Sequence, residues 1–217
     1  MTMEGSYVQG IVLKAEPMNE YDRRVVLLTK ERGKISAFAK YSRKPGNKLM
    51  APTNPFSFGE FKLFEGRNSY TIQEADITNY FEHLRTDFEG AYYGMYFLEL
   101  SDYYTRENLD GTQQLKLLYQ ALRALGVCKI PKKLVRCIFE LKSIDLNGEY
   151  REYSNPDELL NTTKYTIDYI LHTPVEKLFS FTIEEKALEQ LMHVSKQLCH
   201  LTFDRTFKSL EILENIN

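Results

Sequence analysis

The sequence predicts an α+β chain of two parts: a small OB-type β-barrel over residues 1–77, then an all-α domain over residues 78–217. Three observations predict it. Up to about residue 76, short runs alternate apolar and polar residues, the period of half-buried strands. From Thr78 onward the apolar residues recur at three and four, as on amphipathic helices. No low-complexity tether and no internal repeat intervenes, so the boundary is a change of period.

Residues 7–15 (YVQGIVLKA) open the β part, with Gly10 in mid-strand, where a bulge or sharp bend is expected. A turn at Pro17-Met18-Asn19 leads to residues 21–29 (YDRRVVLLT), which place Arg23 and Arg24 on opposite faces. The ERGK tetrapeptide, with Gly33, turns the chain into a strand over residues 34–40. There Ile35, Ala37 and Ala39 face one side, and Lys34, Ser36, Phe38 and Lys40 the other. Residues 56–65, a Gly66–Asn68 turn and residues 70–76 complete about five strands. An OB-type barrel fits this count best; an SH3-like barrel is the main alternative, and periodicity does not separate the two.

In the α part, Phe81, Leu84, Phe88, Ala91, Met95 and Leu98 mark one long helix to about residue 104. Leu115, Leu118, Leu122 and Leu125 mark a second, with Gly126 as its C-cap. Pro131 suits the first position of a third, PKKLVRCIFELKSI, with Leu134, Val135, Ile138, Phe139 and Leu141 inward. Beyond an Asn147-Gly148 loop, Asn155 is expected to cap a helix start with an acidic first turn. Short helices are expected near residues 163–171 and after Pro174. Thr182 and Glu185 read as a capping box for a last long helix bearing Ala187, Leu188, Leu191, Val194 and Leu198.

Composition excludes several classes. The N-terminal MTMEGSYVQGIVL has no basic start before a long apolar run, and no apolar stretch reaches membrane-spanning length, so neither a signal peptide nor a membrane span is expected. Cys128, Cys137 and Cys199, odd in number and far apart, fit a reducing cytoplasm better than a disulfide framework. No phosphate-cradling glycine loop and no G-x-S-x-G is present. His193, Cys199 and His200 lie close in sequence, but on a helix Cys199 and His200 diverge by about 100°. No C-x-x-C supplies further ligands, so no metal and no cofactor is expected. The chain reads as a binder rather than an enzyme.

Charge is unevenly placed. The net charge is −2, yet residues 1–75 carry twelve Lys/Arg against eight Asp/Glu, a balance of +4, and the remainder a balance of −6. The basic excess concentrates in KISAFAKYSRKPGNK, residues 34–48. Cations interleaved with aromatics suit single-stranded nucleic acid: charge replaces counterions, and flat rings accept unpaired bases. A solvated strand face with a basic loop is the plainer alternative. A second cluster, Lys129, Lys132, Lys133 and Arg136, surrounds the start of the third helix in an otherwise acidic domain. It suits an acidic peptide ending in an apolar residue, or else a solvated helix end.

Three pieces together resemble the bacterial RecO family of recombination mediators. They are GIVLKAEPMNEYDRRVVLLTKERGKISAFAK near the N-terminus, FELK at residues 139–142 preceded by Arg136, and FKSLEIL at residues 207–213. The resemblance implies an OB barrel followed by a helical domain. It implies binding of single- and double-stranded DNA without sequence preference, annealing of complementary strands, and action in the bacterial cytoplasm at the nucleoid. It also implies work with RecR to help RecA displace single-strand-binding protein (SSB), whose acidic C-terminal tail is docked. By position and charge, Arg23, Arg24, Lys34, Phe38, Lys40, Tyr41, Arg43, Lys44 and Lys48 are then expected at DNA. Lys129, Lys132, Lys133 and Arg136 are expected at the tail.

The chain departs from that family in two places. Many relatives carry a four-cysteine zinc element after the FELK helix, whereas residues 145–165 contain no cysteine, so the metal is expected to be lost and the element shortened. The family's usual glycine after Ala-Lys is Tyr41, and the basic loop is short.

Overall fold

The computed structural model describes residues 5–67 and 69–216. Residues 1–4, the start of the segment expected to carry no signal peptide, and Asn68, at the end of the expected Gly66–Asn68 turn, lie outside the described residues. Five strands form a closed barrel: β1 (Ser6–Met18), β2 (Asp22–Thr29), β3 (Gly33–Ala39), β4 (Phe58–Glu65) and β5 (Tyr70–Asn79), in the order β1-β2-β3-β5-β4. β4 returns onto β1, and β3 pairs with β5 in parallel at Ala37–Tyr70 and Phe38–Thr71. That order is the OB arrangement and removes the SH3-like alternative. Ile35, Ala37 and Ala39 of β3 are buried with Val8, Val12, Val25, Leu27, Phe61 and Leu63, so the expected alternation holds along this strand.

Closure depends on close backbone approach. Gly10 of β1 is opposite Gly59 of β4, and Gly10 is also opposite Thr29 of β2. A Cβ on Gly10 would lie 2.5 Å from the Leu28 carbonyl oxygen, and one on Gly59 would lie 2.1 Å from that of Asp76. The bulge expected at Gly10 lies instead between Val12 and Lys14. There the amide of Val12 donates to the Ser57 carbonyl, and that of Phe56 to the Val12 carbonyl. β1 also runs on through Pro17, which pairs with Arg23. Beyond Ile11, β1 no longer pairs with β4, so the missing N–H of proline falls on an edge and the turn moves to residues 19–21.

The expected long helix from Thr78 is replaced by three elements. β5 continues to Asn79, Glu82–Arg85 form one 3₁₀ turn, and α1 spans Phe88–Tyr104. The Asp87 carboxylate accepts from the Gly90 amide at 3.0 Å, an N-cap that fixes the start. Of the expected apolar positions, Phe81, Leu84 and Leu98 are buried, but the face of α1 is otherwise different. Phe88 and Met95 are exposed, while Tyr93, Tyr96, Phe97, Leu98 and Leu100 are buried. The segment YYGMYFLEL is apolar nearly all round, so spacing does not single out one side.

The later helices are α2 (Thr112–Ala124), α3 (Lys132–Leu146), α4 (Asn161–His172), α5 (Glu185–Thr202) and α6 (Lys208–Ile216). Leu115, Leu118, Leu122 and Leu125 are buried as expected. The Thr182–Glu185 capping box is not made: Glu184 occupies the cap of α5 without a side-chain bond. Asn155 likewise makes no side-chain cap bond, and only one 3₁₀ turn, Pro156–Glu158, follows it. Among the described residues no helix is long and apolar enough to cross a membrane. The chain divides into two compact units, Met1–Glu82 with Leu98–Leu115, and His83–Phe97 with Lys116–Asn217.

The second unit is built round Glu140. This carboxylate is 1% exposed and accepts from the Tyr96 hydroxyl at 2.8 Å, the Arg136 Nε at 2.8 Å and the Ser195 hydroxyl. Burial, then the Glu140 charge, push the Tyr96 hydroxyl well above the phenol range, so it stays a donor. Phe139 stacks on Phe97 with centroids 4.2 Å apart, and Leu141 is buried. Lys142 donates to Asp145 and to the Leu171 carbonyl in the last turn of α4. Every residue of the FELK stretch is thus a packing residue.

Two outcomes follow. Gly10→Ala should cost about 1–3 kcal/mol in urea unfolding, because the methyl overlaps a backbone oxygen. Glu140→Ala should cost about 3–5 kcal/mol, because it leaves the Arg136 charge with only the looser Glu214 carboxylate and the Tyr96 and Ser195 hydroxyls unsatisfied; a loss below about 1 kcal/mol would show that the network carries no net stability.

Candidate nucleic-acid interface

Barrels of this type present the β2–β3 face and the β1–β2 loop to oligonucleotides. On that face Arg24 pairs across strands with Phe38, and its Nε donates to the Ser36 hydroxyl at 2.9 Å. Arg24 is exposed and Phe38 half-buried. At the end of β3 the chain enters a turn-rich excursion over residues 40–57 before β4.

That excursion is knitted to the β1–β2 turn. The Tyr41 amide donates to the Asp22 carboxylate at 2.7 Å, and the Arg43 amide to the Tyr21 carbonyl at 2.8 Å. The Arg43 guanidinium reaches the carbonyls of Asn19 at 3.3 Å and Glu20 at 3.2 Å. Two loops distant in sequence thereby become one surface. Lys40, Arg43, Lys44 and Lys48 are exposed along it, and the Tyr41 ring is 60% exposed. Tyr41 has a φ of 56°, the left-handed region that an aromatic residue seldom adopts.

Arg23 and Lys34 stand apart from this row. The Arg23 guanidinium donates to the Met50 carbonyl and the Thr53 hydroxyl, each at 2.8 Å. Burial, then the nearby Arg43 charge, lower its pKa from the ordinary value. Half-buried, it ties the excursion to β2. The Lys34 ammonium donates to both the carbonyl and the carboxylate of Asp102, with an ion pair of 2.9 Å. Tyr21 joins the surface although its sequence context gave it no role; it is 40% exposed and directly precedes Asp22-Arg23-Arg24, the signal that could have found it.

The second basic cluster divides. The Lys132 ammonium pairs with Asp87 at 2.7 Å and Glu89 at 3.1 Å. Burial opposes its charge, but the two carboxylates outweigh that and raise its pKa. Arg136 points inward to Glu140 and over the Tyr96 ring. Lys129 and Lys133 are exposed. Lys133 and Arg136 share a cleft of about 370 Å³ with Tyr93, Met192, Lys196 and Leu213. Met192 and Lys196, which the expected cluster left out, are one helical turn apart on α5, and that spacing is the signal that could have found them.

Two family models match in succession: residues 3–81 match the one described as Recombination protein O N terminal, and residues 85–156 the one described as Recombination protein O C terminal. The chain belongs to the RecO family. It is similar to the "DNA repair protein RecO" of Acetivibrio thermocellus, 25% identical over 96% of each chain. To that of Alkaliphilus metalliredigens it is 28% identical over 96% of this chain and 98% of the other. To that of Heliobacterium modesticaldum it is 35% identical over 67% of this chain and 52% of the other.

A four-thiolate zinc site does not fit this RecO-family chain, because residues 145–165 hold no cysteine and the whole sequence has only three. Among the described residues no three His, Cys, Asp or Glu side chains are grouped to hold a metal. Hydrogen bonds from α5 secure that segment instead. The Gln190 carbonyl accepts from the Leu160 amide and the Thr163 hydroxyl, each at 2.9 Å, and its amide donates to the Glu158 carbonyl at 3.2 Å. The Gln197 amide reaches Ser154 at 3.3 Å.

Arg23→Ala should remove about 1–2 kcal/mol of stability, as charged hydrogen bonds to a loop do. It should also speed hydrogen exchange at the Asn54 and Ser57 amides. Unchanged exchange there would mean that Arg23 does not hold the excursion.

Proposed function

We propose that this RecO-family chain is a DNA-repair and recombination mediator that binds DNA on the β2–β3 face and the adjoining excursion. The observation that carries it is the joined row Lys40, Tyr41, Arg43, Lys44 and Lys48, with Arg24, Phe38 and Tyr21 beside it. Cations set on turns can follow a phosphate backbone without reading bases, and exposed rings take up stacking. Bases held this way remain free to pair, which promotes annealing of complementary strands with no chemical turnover. In this reading the protein works with RecR to help load RecA onto SSB-coated single strands, in the bacterial cytoplasm at the nucleoid.

A specific observation also favours docking of an acidic, apolar-ended segment such as the SSB tail. The cleft of the second unit sets Lys133, Arg136 and Lys196 beside the apolar Met192 and Leu213. Lys133 and Lys196 are the cations that would meet the tail; Lys129 does not line the cleft, and Lys132 is held by its carboxylates. An adaptor that docks the tail and scarcely touches DNA is the alternative function.

The test is fluorescence anisotropy of a labelled single-stranded oligonucleotide across salt concentrations. Five exposed cations, Arg24, Lys40, Arg43, Lys44 and Lys48, predict a log–log salt slope of about −3.5. Replacing Lys40, Lys44 and Lys48 together by alanine should flatten it by roughly 2, whereas Lys34→Ala should leave it unchanged. Annealing of complementary strands should fall in step with binding. A wild-type protein that fails to bind at low salt would sink the DNA reading and bring the adaptor forward.

A further inference from the structure

We propose that Glu214 of α6 is a built-in competitor for the acidic partner of the α3–α5–α6 cleft. The inference rests on the reading of that cleft as a site for an acidic, apolar-ended segment. It arises from what already occupies the cleft. Phe207, Ser209 and Leu213 are buried and seat α6. Leu213 lines the cleft wall, and Glu214 follows it at the mouth, 46% exposed. Its carboxylate lies 3.6 Å from the outer nitrogen of Arg136 and 3.9 Å from the Lys196 ammonium. An apolar side chain inside and a carboxylate at the basic rim is the chemistry such a partner would bring.

The geometry makes this contact displaceable. Arg136 already has a close carboxylate partner in Glu140 at 2.8 Å, so Glu214 is its second and looser anion. The Lys196 side chain is 59% exposed, and its pair with Glu214 sits at the long end of ion-pair distances. Pairs of this kind are held weakly and screened by salt. A ligand with several carboxylates could exchange for Glu214 by rotation of one side chain, leaving the buried seat of α6 in place. The contact then sets a threshold: a single stray anion gains little, whereas a run of carboxylates with an apolar end displaces Glu214 and engages Lys133 as well.

The probe is a labelled synthetic peptide of consecutive aspartates ending in leucine and phenylalanine, titrated into the full chain by anisotropy. Glu214→Gln keeps the size and polarity of the side chain, and an unchanged melting curve confirms an intact fold. It should bind the peptide about fivefold more tightly than wild type, the scale of one weak ion pair removed. Adding Lys196→Ala to Glu214→Gln should abolish the gain. If wild type binds, Lys133→Ala and Lys196→Ala weaken it, and Glu214→Gln binds no better, the competitor is overturned while the tail site stands. If neither wild type nor Glu214→Gln binds the peptide, both readings fall.

Discussion

The opposed glycines of β1 and β4 set the terms for the first unit. With Gly10 against Gly59, β1 can pair on both flanks at once, with Thr29 on one side and β4 on the other. The chain must then travel from the end of β3 to the start of β4 by the excursion over residues 40–57. The β1 bulge receives that excursion through Ser57 and Phe56, and Arg23 receives it through Met50 and Thr53. The basic, aromatic surface is therefore a consequence of how the barrel shuts, and loop and scaffold are positioned by the same backbone.

The second unit relies on a buried charge rather than a close approach. Glu140 gathers donors from α1, α3 and α5, and each of its bonds satisfies a group that would otherwise be costly to bury. The stretch that most resembles the family in this unit, FELK, is therefore a record of packing. The residues proposed to meet partners, the exposed Lys133 and Lys196 and the half-buried Met192, lie outside it. Of the residues that carry the resemblance in this unit, Arg136, Glu140 and Leu213 reach the cleft, and all three are largely occupied with packing.

The strands were legible because their signal is local: Ile35, Ala37 and Ala39 declare the inner face of β3 within seven residues. The choice of barrel was not, since it turns on β3 meeting β5 at positions such as Ala37 and Tyr70, far apart in the chain. The face of α1 was hidden by a segment with too many apolar residues to have a phase. Among the proposed site residues, Lys40, Arg43, Lys44 and Lys48 were legible as a dense run in a turn-rich segment. Lys34 and Arg23 look the same as letters, yet their partners, Asp102 and Thr53, lie 68 and 30 residues away. Arg136 was hidden differently, because one helical turn to Glu140 suggests a surface pair and only the fold buries it. No composition rule separates a cation turned to solvent from one already engaged by the fold.

The left-handed backbone at Tyr41 has an evolutionary side. A conformation with φ near 56° suits glycine, and a side chain there costs about 1–2 kcal/mol. Under pressure for thermal robustness alone, a lineage would drift to glycine at this position and lose a ring that stands free of the barrel. On the proposed reading, keeping tyrosine exchanges a measure of folding stability for a stacking platform. Position 41 is thus a place where the fitness of the fold and the fitness of the interface are opposed within one residue, and where diverging lineages can settle on different compromises.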